Sequence, residues 1–308
     1  MNLAINKILE RNGITPQSPA VLFDAGQVNA VYDIDGKFVL KVEKGLDVTA
    51  HQPEVMRLAL KAGAKVPEVI DAGTCEGVSY LLMTKMPGQR LSSGWFDLSK
   101  SQQEAMLSQI SDQLRLFHSI SFDTYAIPRP LQNSSWKDAL RAYTDLPEQA
   151  PEQADERTRA NFATLRNFYL EHESVLSVAT APVLVHNDIH FDNVLHQNGM
   201  LTGILDFDFA RQAPRDYELR QIIDFFQSPK YLVSERDEPV WDGFEATDEL
   251  RLLRKYYPEL FDSPDMVTRQ KLYLTETIVT AMRDGAFYKF NEKVETYFNT
   301  EWLERVLS

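Results

Sequence analysis

The sequence predicts an α+β fold with two lobes, a small N-terminal lobe built on an antiparallel sheet and a large, mainly helical C-terminal lobe. Two observations predict it. Strand patterns with one inserted helix fill roughly the first 85 residues, and helical periodicity dominates after Pro87-Gly88. Strands grouped in this way, without alternating helices, do not indicate βαβ units. We place the lobes at residues 1–86 and 87–308.

The small lobe is defined by its strand signals. Asp35-Gly36 separates two segments of β-type residues, and this dipeptide is a strong signal of a tight hairpin. The expected elements are a short opening helix, strands over 20–23, 30–34 and 38–42, a helix over 52–62, and strands near 68–71 and 78–83.

The large lobe is defined by apolar residues at helical spacing. Its clearest helix places Met106, Ile110, Leu114 and Phe117 on one face. The expected elements are a helix over 99–119, a helix ending near 170, short strands at 182–185 and 203–205, and helices over 217–226, 247–257, 268–287 and 291–307.

Composition and charge exclude several classes of protein. The 308 residues are 44% hydrophobic and 25% charged, as in ordinary globular proteins. The net charge of −13 argues against binding nucleic acid or an anionic membrane, and it suits a cationic ligand. Cys75 is the only cysteine, and no run approaches the ~18 apolar residues of a membrane helix. We expect a cytoplasmic protein; monomer or dimer stays open.

Polar residues follow two of the predicted strands of the large lobe. His186, Asp188 and Asn193 come after one strand, and Asp206 comes after the next. Carboxylate and amide oxygens are ligands for Mg²⁺ beside phosphate rather than for Zn²⁺. The spacing His-x-Asp-x-x-x-x-Asn is that of the catalytic loop of kinases. The pattern therefore predicts phosphoryl transfer.

The same residues resemble a known family. The segments 185–195 and 203–210 resemble the motifs of the aminoglycoside phosphotransferase and choline kinase superfamily, which has a protein-kinase-like fold, and shorter similarities extend over roughly residues 20–230. The family form carries Gly where Asn187 stands. The resemblance implies transfer of the γ-phosphate of ATP or GTP, with Mg²⁺, to a hydroxyl group of a small molecule.

Roles follow by matching this chain to the motif. Asp188 is the expected catalytic carboxylate, which accepts the proton of the attacking hydroxyl. Asn193 and Asp206 are the expected Mg²⁺ ligands.

Three further residues are expected to support them. His186 is expected to brace the loop by hydrogen bonds. His190 either faces substrate or fills the loop. Asp208 either assists the metal or acts as an ordinary capping carboxylate.

The small lobe supplies the expected nucleotide contacts. Lys41 resembles the phosphate-binding lysine of kinases, and Glu54, at the start of the next helix, is its expected ion partner. The phosphate loop over 24–30 contains the single Gly26. Thr84 and Met86 belong to the expected hinge, whose backbone groups would bind the nucleobase.

The acceptor is less defined than the reaction. Residues 230–265 contain ten Asp and Glu against five Lys and Arg, a charge balance that would attract a cationic acceptor such as an aminoglycoside-type antibiotic. Candidate contacts are the carboxylates Glu218, Asp224, Asp237, Glu238 and Asp284 and the aromatic residues Tyr217 and Trp241.

The sequence is compatible with other acceptors and other classes of protein. The acceptor is alternatively choline, another hydroxylated metabolite or a macrolide. A protein kinase is disfavoured because Tyr217 follows Asp206 too closely for a long activation loop. A degenerate, non-enzymatic nucleotide-binding module would be expected to lack one of Lys41, Asp188, Asn193 and Asp206, and all four are present.

Overall fold

The protein is described by a computed structural model over residues 2–25, 29–43, 51–122, 135–178, 180–234, 236–244, 246, 248–298 and 301–307. Its first part contains α1 (Asn2–Arg11), β1 (Val21–Ala25), β2 (Asn29–Ile34), β3 (Phe38–Glu43), α2 (Gln52–Lys61), β4 (Val69–Cys75) and β5 (Val78–Thr84). The five strands form one antiparallel sheet in the order β1-β2-β3-β5-β4. Asp35 and Gly36 have φ angles of 53° and 67°, as the predicted hairpin turn requires.

The two faces of this sheet have different partners. Leu40 and Val42 of β3 are fully buried and pack with Ile8 and Leu9 of α1. Side chains alternate along a strand, so Lys41 lies on the opposite face, where it reaches the C-terminal part of the chain. The strand pattern therefore directs this lysine toward the site described below.

The rest of the chain is mainly helical, as the sequence predicts. Its helices are α3 (Leu91–Gly94), α4 (Lys100–His118), α5 (Trp136–Thr144), α6 (Glu156–His172), α7 (Leu219–Gln227), α8 (Glu238–Trp241), α9 (Asp248–Tyr256), α10 (Met266–Arg283), α11 (Phe287–Phe298) and α12 (Trp302–Leu307). The single helix predicted over 291–307 is wrong, because two helices, α11 and α12, occupy that region. The predicted boundary at 86/87 stays a prediction; β5 ends at Thr84.

The helix α4 illustrates why these segments fold as they do. Ser99 and Gln102 form a capping box, in which the side chain of each residue bonds the backbone of the other. The apolar face predicted for this helix, which runs from Met106 to Phe117, is buried in the main core. Capping and burial together fix the start and the orientation of the helix.

Short strands position the two polar loops. They are β6 (Gln89–Arg90), β7 (Val183–Val185), β8 (Val194–Gln197), β9 (Met200–Ile204) and β10 (Arg211–Ala213). Val185 of β7 pairs with Arg211 of β10, and Val194 of β8 pairs with Ile204 of β9. We call residues 186–193 the Asp188 loop and residues 205–210 the Asp206 loop. The pairings place the start of each loop beside the end of the other.

Within the part of the chain that the structure describes, no helix combines the length and the apolar character needed to span a bilayer.

Candidate active site

The Asp188 loop brings its polar side chains together. The amide Nδ2 of Asn193 lies 3.0 Å from Oδ2 of Asp188 and 3.0 Å from the Asp188 backbone oxygen. These contacts fix the amide orientation, since only its nitrogen is a donor. The side-chain oxygen Oδ1 of Asn193 has no hydrogen-bond partner among the described residues, so it is available as a ligand.

The Asp206 loop lies directly against this arrangement. The backbone N–H of Leu205 donates to the backbone oxygen of Asn193 at 2.8 Å. Asp206 has a left-handed backbone, with φ of 64°, and its side chain is 43% exposed. Burial alone would raise the pKa of Asp206, but the neighbouring ammonium of Lys41 lowers it below its usual value. The carboxylate is therefore charged at neutral pH and open to a ligand.

The donor set fits a magnesium ion bound together with phosphate. One carboxylate and one amide oxygen come from the protein, and Mg²⁺ characteristically takes few protein ligands beside phosphate oxygens and water. No group of three or more His, Cys, Asp or Glu side chains suited to a metal occurs among the described residues. The arrangement accordingly does not resemble a preformed, all-protein metal cage.

Lys41 joins the site from the small lobe. Its Nζ lies 3.1 Å from Oδ1 of Asp206 and 2.6 Å from Oδ1 of Asp208. Burial would lower the pKa of Lys41, but the two carboxylates raise it above its usual value, which keeps the ammonium charged. Burial and the neighbouring charge of Asp206 raise the pKa of Asp208 to about 6. Asn29 of β2 also donates to Asp208, at 3.2 Å.

The predicted Lys41–Glu54 pair does not form. Glu54 is solvent-exposed in the first turn of α2, and the ion pairs of Lys41 to described residues are those with Asp206 and Asp208. The physical reason is that the carboxylates of the Asp206 loop lie within hydrogen-bond distance of the buried ammonium. Asp208, read from sequence as a metal helper or a capping residue, thus contacts the lysine.

The side chain of His186 connects the Asp188 loop to the Asp206 loop. Its Nδ1 accepts from the N–H of Asp188 at 3.3 Å, and its Nε2 donates to the Leu205 oxygen at 3.0 Å. The side chain is completely buried, and burial lowers its pKa although nearby carboxylates oppose the shift. A neutral ring fits both hydrogen bonds. The geometry is that of a brace, with no free ring nitrogen for catalysis.

His190 lies beside the two central residues of the loop. Its Nε2 is 3.0 Å from Nδ2 of Asn193 and 3.6 Å from Oδ2 of Asp188. The other ring nitrogen, Nδ1, is buried without a hydrogen-bond partner. Burial would lower the pKa of His190, but Asp188 raises it above its usual value. The ring therefore fills the loop and contacts the carboxylate at the same time.

Glu218 has a role that the sequence did not reveal. Its carboxylate accepts from the backbone N–H groups of His186, at 2.7 Å, and Asn187, at 2.9 Å. His118 of α4 contacts it at 3.3 Å and bonds Tyr257 through its other nitrogen at 2.8 Å. Glu218 is completely buried; burial would raise its pKa, but His118 and the backbone bond lower it. It therefore anchors the Asp188 loop and cannot contact the substrate that would accept the phosphate.

The far end of the Asp188 loop is anchored by Asp192. Arg90 donates to its Oδ2 at 2.8 Å, and the hydroxyl of Ser92 donates to Oδ1. The neighbouring Phe191 packs against Trp95, with ring centroids 4.6 Å apart, and against Trp241 at 5.7 Å. Trp241 is therefore a core residue and not an acceptor wall. Tyr217 is likewise completely buried.

The hinge contains backbone groups that are bonded within the protein and backbone groups that are not. The N–H of Thr84 donates to Glu68 at 2.9 Å, and the N–H of Lys85 donates to Lys37 at 2.8 Å. Among the described residues, the backbone groups of Met86 have no hydrogen-bond partner. Its side chain lies against Gly203 of β9, where an added Cβ would come within 3.0–3.2 Å of the Met86 side chain. Gly26, the predicted phosphate-loop glycine, lies outside the described residues.

Two more of the acidic acceptor candidates are already engaged within the protein. Asp224 of α7 is buried and forms an ion pair with Lys293. Asp237 is buried and accepts from Ser93 at 2.7 Å. Both carboxylates therefore form contacts within the large lobe. Glu238 and Asp284 are solvent-exposed.

Comparison with known proteins agrees with this geometry. The family model of the phosphotransferase enzyme family (APH) matches residues 20–256. A hygromycin-B 4-O-kinase of Escherichia coli is 25% identical over 267 residues, which cover 83% of this chain and 72% of the relative.

Solved structures share the fold. The crystal structure of aminoglycoside phosphotransferase APH(4)-Ia matches with a TM-score of 0.68 and 20% identity, covering 100% of this chain and 98% of that one. A thermostable mutant of the same enzyme, in ternary complex with ADP and hygromycin B, matches with a TM-score of 0.67, 19% identity and coverage of 98% and 97%. The gentamicin complex of APH(2")-IIa matches with a TM-score of 0.66, 17% identity and coverage of 99% and 98%.

Proposed function

Because this chain belongs to the APH phosphotransferase enzyme family, we propose that it transfers the γ-phosphate of ATP or GTP to a hydroxyl group of a cationic, aminoglycoside-type acceptor. The observation that carries the proposal is that Asp188, Asn193, Asp206 and Lys41 lie on two adjacent loops and the strand that faces them. Asn193 contacts Asp188 at 3.0 Å, and Asp206 contacts Lys41 at 3.1 Å. The backbone bond from the Leu205 N–H to the Asn193 oxygen, at 2.8 Å, joins the loops that carry these two pairs.

Each side chain has a task in this reaction. Asp188 accepts the proton of the acceptor hydroxyl as that oxygen attacks phosphorus. Asn193 and Asp206 would hold Mg²⁺, which supplies charge neutralisation at the phosphate oxygens. Lys41 contributes a second positive charge on the small-lobe side. Most of the rate acceleration then comes from positioning and electrostatic stabilisation.

The nucleobase is proposed to bind at the hinge. Kinase hinges bind the base through backbone groups, and the N–H groups of Thr84 and Lys85 are already bonded to the backbone oxygens of Glu68 and Lys37. We therefore assign the free backbone groups of Met86 as the contact. They fit adenine or guanine, so both ATP and GTP belong in the test.

The acceptor class rests on charge and on the relatives. The chain carries a net charge of −13, and the relatives named above act on or bind hygromycin B and gentamicin. Choline, other hydroxylated metabolites and macrolides are the competing acceptors. We place the reaction in the cytoplasm, a reducing compartment that suits a chain with one cysteine.

A phosphorylation screen tests this function. The purified protein is incubated with Mg²⁺ and either ATP or GTP, and with hygromycin B, gentamicin, choline or a macrolide; nucleotide diphosphate and phosphorylated acceptor are measured. We expect transfer to an aminoglycoside-type acceptor and a loss of at least about 10²-fold in kcat for Asp188→Asn, the range of a lost general base.

The matched control is Asp112→Asn, which makes the same change at a side chain 66% exposed on α4. It should keep the parental rate. Parental turnover by the Asp188→Asn protein would remove Asp188 from its role, and transfer to choline or a macrolide alone would remove the proposed acceptor class.

A further inference from the structure

Asn187, between His186 and Asp188, adopts a backbone conformation that few residues favour. Its φ angle is +63°, in the left-handed region. Glycine occupies this region without penalty, and Asn is among the few other residues that tolerate it. The backbone alone would therefore be served at least as well by glycine, so the presence of a side chain requires a separate explanation.

The Asn187 side chain is buried and bonded at both ends. The residue is 1% exposed. Its Nδ2 donates to the backbone oxygen of Phe209 at 3.2 Å, and its Oδ1 accepts from Nη2 of Arg220 at 2.9 Å. Since a carbonyl oxygen only accepts and a guanidinium only donates, the amide fits in one orientation.

These two bonds join three separate segments. Phe209 belongs to the Asp206 loop, and Arg220 belongs to α7, where its Nη1 also reaches Thr277 of α10 at 2.5 Å. Asn187 itself belongs to the Asp188 loop. The amide consequently connects α7, through the Asp188 loop, to the Asp206 loop.

We infer that Asn187 is a positioning residue that fixes the Asp206 loop relative to the Asp188 loop. It acts through Phe209, three residues from Asp206, and it touches no reacting atom. The inference rests on the proposed function for its kinetic consequence only. The mechanical consequence, a less mobile Asp206 loop, holds for the protein without nucleotide or metal.

Hydrogen exchange measures that mechanical consequence. The N–H of Ala210 donates to the Phe207 oxygen at 3.2 Å inside the Asp206 loop, so its exchange reports opening of this loop. We compare the parent with Asn187→Gly. Glycine adopts the left-handed backbone conformation without penalty, and the substitution removes both side-chain hydrogen bonds. Asn187→Asp keeps an acceptor for Arg220 but places an oxygen against the Phe209 carbonyl.

The control is Asn198→Gly. Asn198 also has a left-handed backbone, with φ of 52°, but it is exposed in the β8–β9 turn and its side chain bonds no described residue. In both Asn187 variants the backbone amides of residues 205–211 should exchange hydrogen several-fold faster than in the parent. The exchange rates in α4 should be unchanged. The Asn198→Gly protein should exchange this segment at the parental rate.

Kinetics supply the second measurement. For both Asn187 variants we expect kcat to fall about tenfold, a loss typical of misplaced catalytic groups, with the acceptor KM within about twofold. Parental exchange of the 205–211 segment in Asn187→Gly would overturn the inference, and so would parental exchange in Asn187→Asp, because the donor to Phe209 would then be dispensable. If the parent phosphorylates nothing, the exchange comparison still decides this point, while the proposed function fails separately.

Discussion

The Asp188 loop and Lys41 form opposite sides of the candidate site, and they are held in different ways. The loop is anchored within the large lobe, through the carboxylate of Glu218 at its start and Asp192 near its end. Lys41 is fixed along β3 by strand pairing, but the contacts of its ammonium lie across the lobes, at Asp206 and Asp208. The position of the Asp188 loop therefore does not depend on contact between the lobes, whereas the ion pairs of Lys41 do.

This difference assigns the two lobes different tasks. Buried hydrogen bonds to charged groups are strong and hold one geometry, so the large lobe presents Asp188 and Asn193 in a fixed arrangement. The lysine carries a charge whose partners sit on the other lobe. A change in the Glu218 anchor should then affect catalysis itself, whereas a change at the Lys41 contacts should affect nucleotide binding first.

Removing the Glu218 anchor should have the largest effect. In Glu218→Gln one of the two backbone donors loses its acceptor, and the charge that faces His118 disappears. We expect kcat to fall by about 10²-fold or more, since small displacements of catalytic groups have effects of this size, with a lower Tm. Steady-state kinetics and thermal unfolding provide the measurement.

The matched control for that anchor is Glu171→Gln, at a side chain 75% exposed near the end of α6. It should retain the parental kcat and Tm. A Glu218→Gln enzyme with parental kcat would mean that the Asp188 loop holds its geometry without this carboxylate, and the contrast between the two sides would disappear.

A pair of variants should give an intermediate effect on the lysine side. Asp208→Asn removes the charge 2.6 Å from Lys41. Glu54→Gln removes the carboxylate that the sequence predicts as the ion partner of Lys41. We expect Asp208→Asn, which loses one charge-assisted hydrogen bond, to raise the nucleotide KM about tenfold, equivalent to about 1.4 kcal/mol. We expect Glu54→Gln to change it less than twofold. The KM for the acceptor should stay constant in both proteins.

The reverse order, with Glu54→Gln the more damaging variant, would show that Lys41 exchanges partners when nucleotide binds. That result would align the lysine with the kinase arrangement expected from sequence, and it would make the observed contacts a feature of the free enzyme only.

The sequence predicts the contiguous parts of this site and misses its distant partners. His186, Asp188 and Asn193 are recognised because their spacing is local and chemically restrictive. The hairpin at Asp35-Gly36 is recognised for the same reason. Each signal is contained within a few residues, and the structure places them as the local pattern requires.

The sequence names Glu218 and Asp208 as candidates but does not reveal what they contact, for a different reason. The partners of Glu218 include His186, 32 residues away, and His118, 100 residues away. Nothing in the letter Glu distinguishes a buried anchor from a surface carboxylate, and the choice between Glu54 and Asp208 as partner of Lys41 depends on distances across the lobes. The one available signal was the short Tyr217–Leu219 similarity to the family.

The smallest expected effect lies at a pair remote from both sides of the site. Arg157 of α6 bonds Glu295 of α11 at 2.7 and 2.6 Å, and these bonds lower the pKa of Glu295 to about 2 from 4.5. Because the Arg157 side chain is 60% exposed and that of Glu295 is 39% exposed, solvent weakens the pair. Arg157→Met should therefore lower the free energy of unfolding only slightly and leave kcat unchanged.

The pH dependence of that difference has a definite sign. A carboxylate with a lowered pKa stabilises the folded state above its unfolded pKa, and this contribution is lost as the pH falls through its folded pKa. The stability gap between the parent and Arg157→Met should thus be full above pH 4.5 and close as the pH approaches 2. Denaturant unfolding across this range measures it. A fall in kcat in this variant would mean that modest destabilisation alone slows the enzyme, and the losses at Glu218 and Asp208 would then have to be corrected for stability before the two sides of the site are compared.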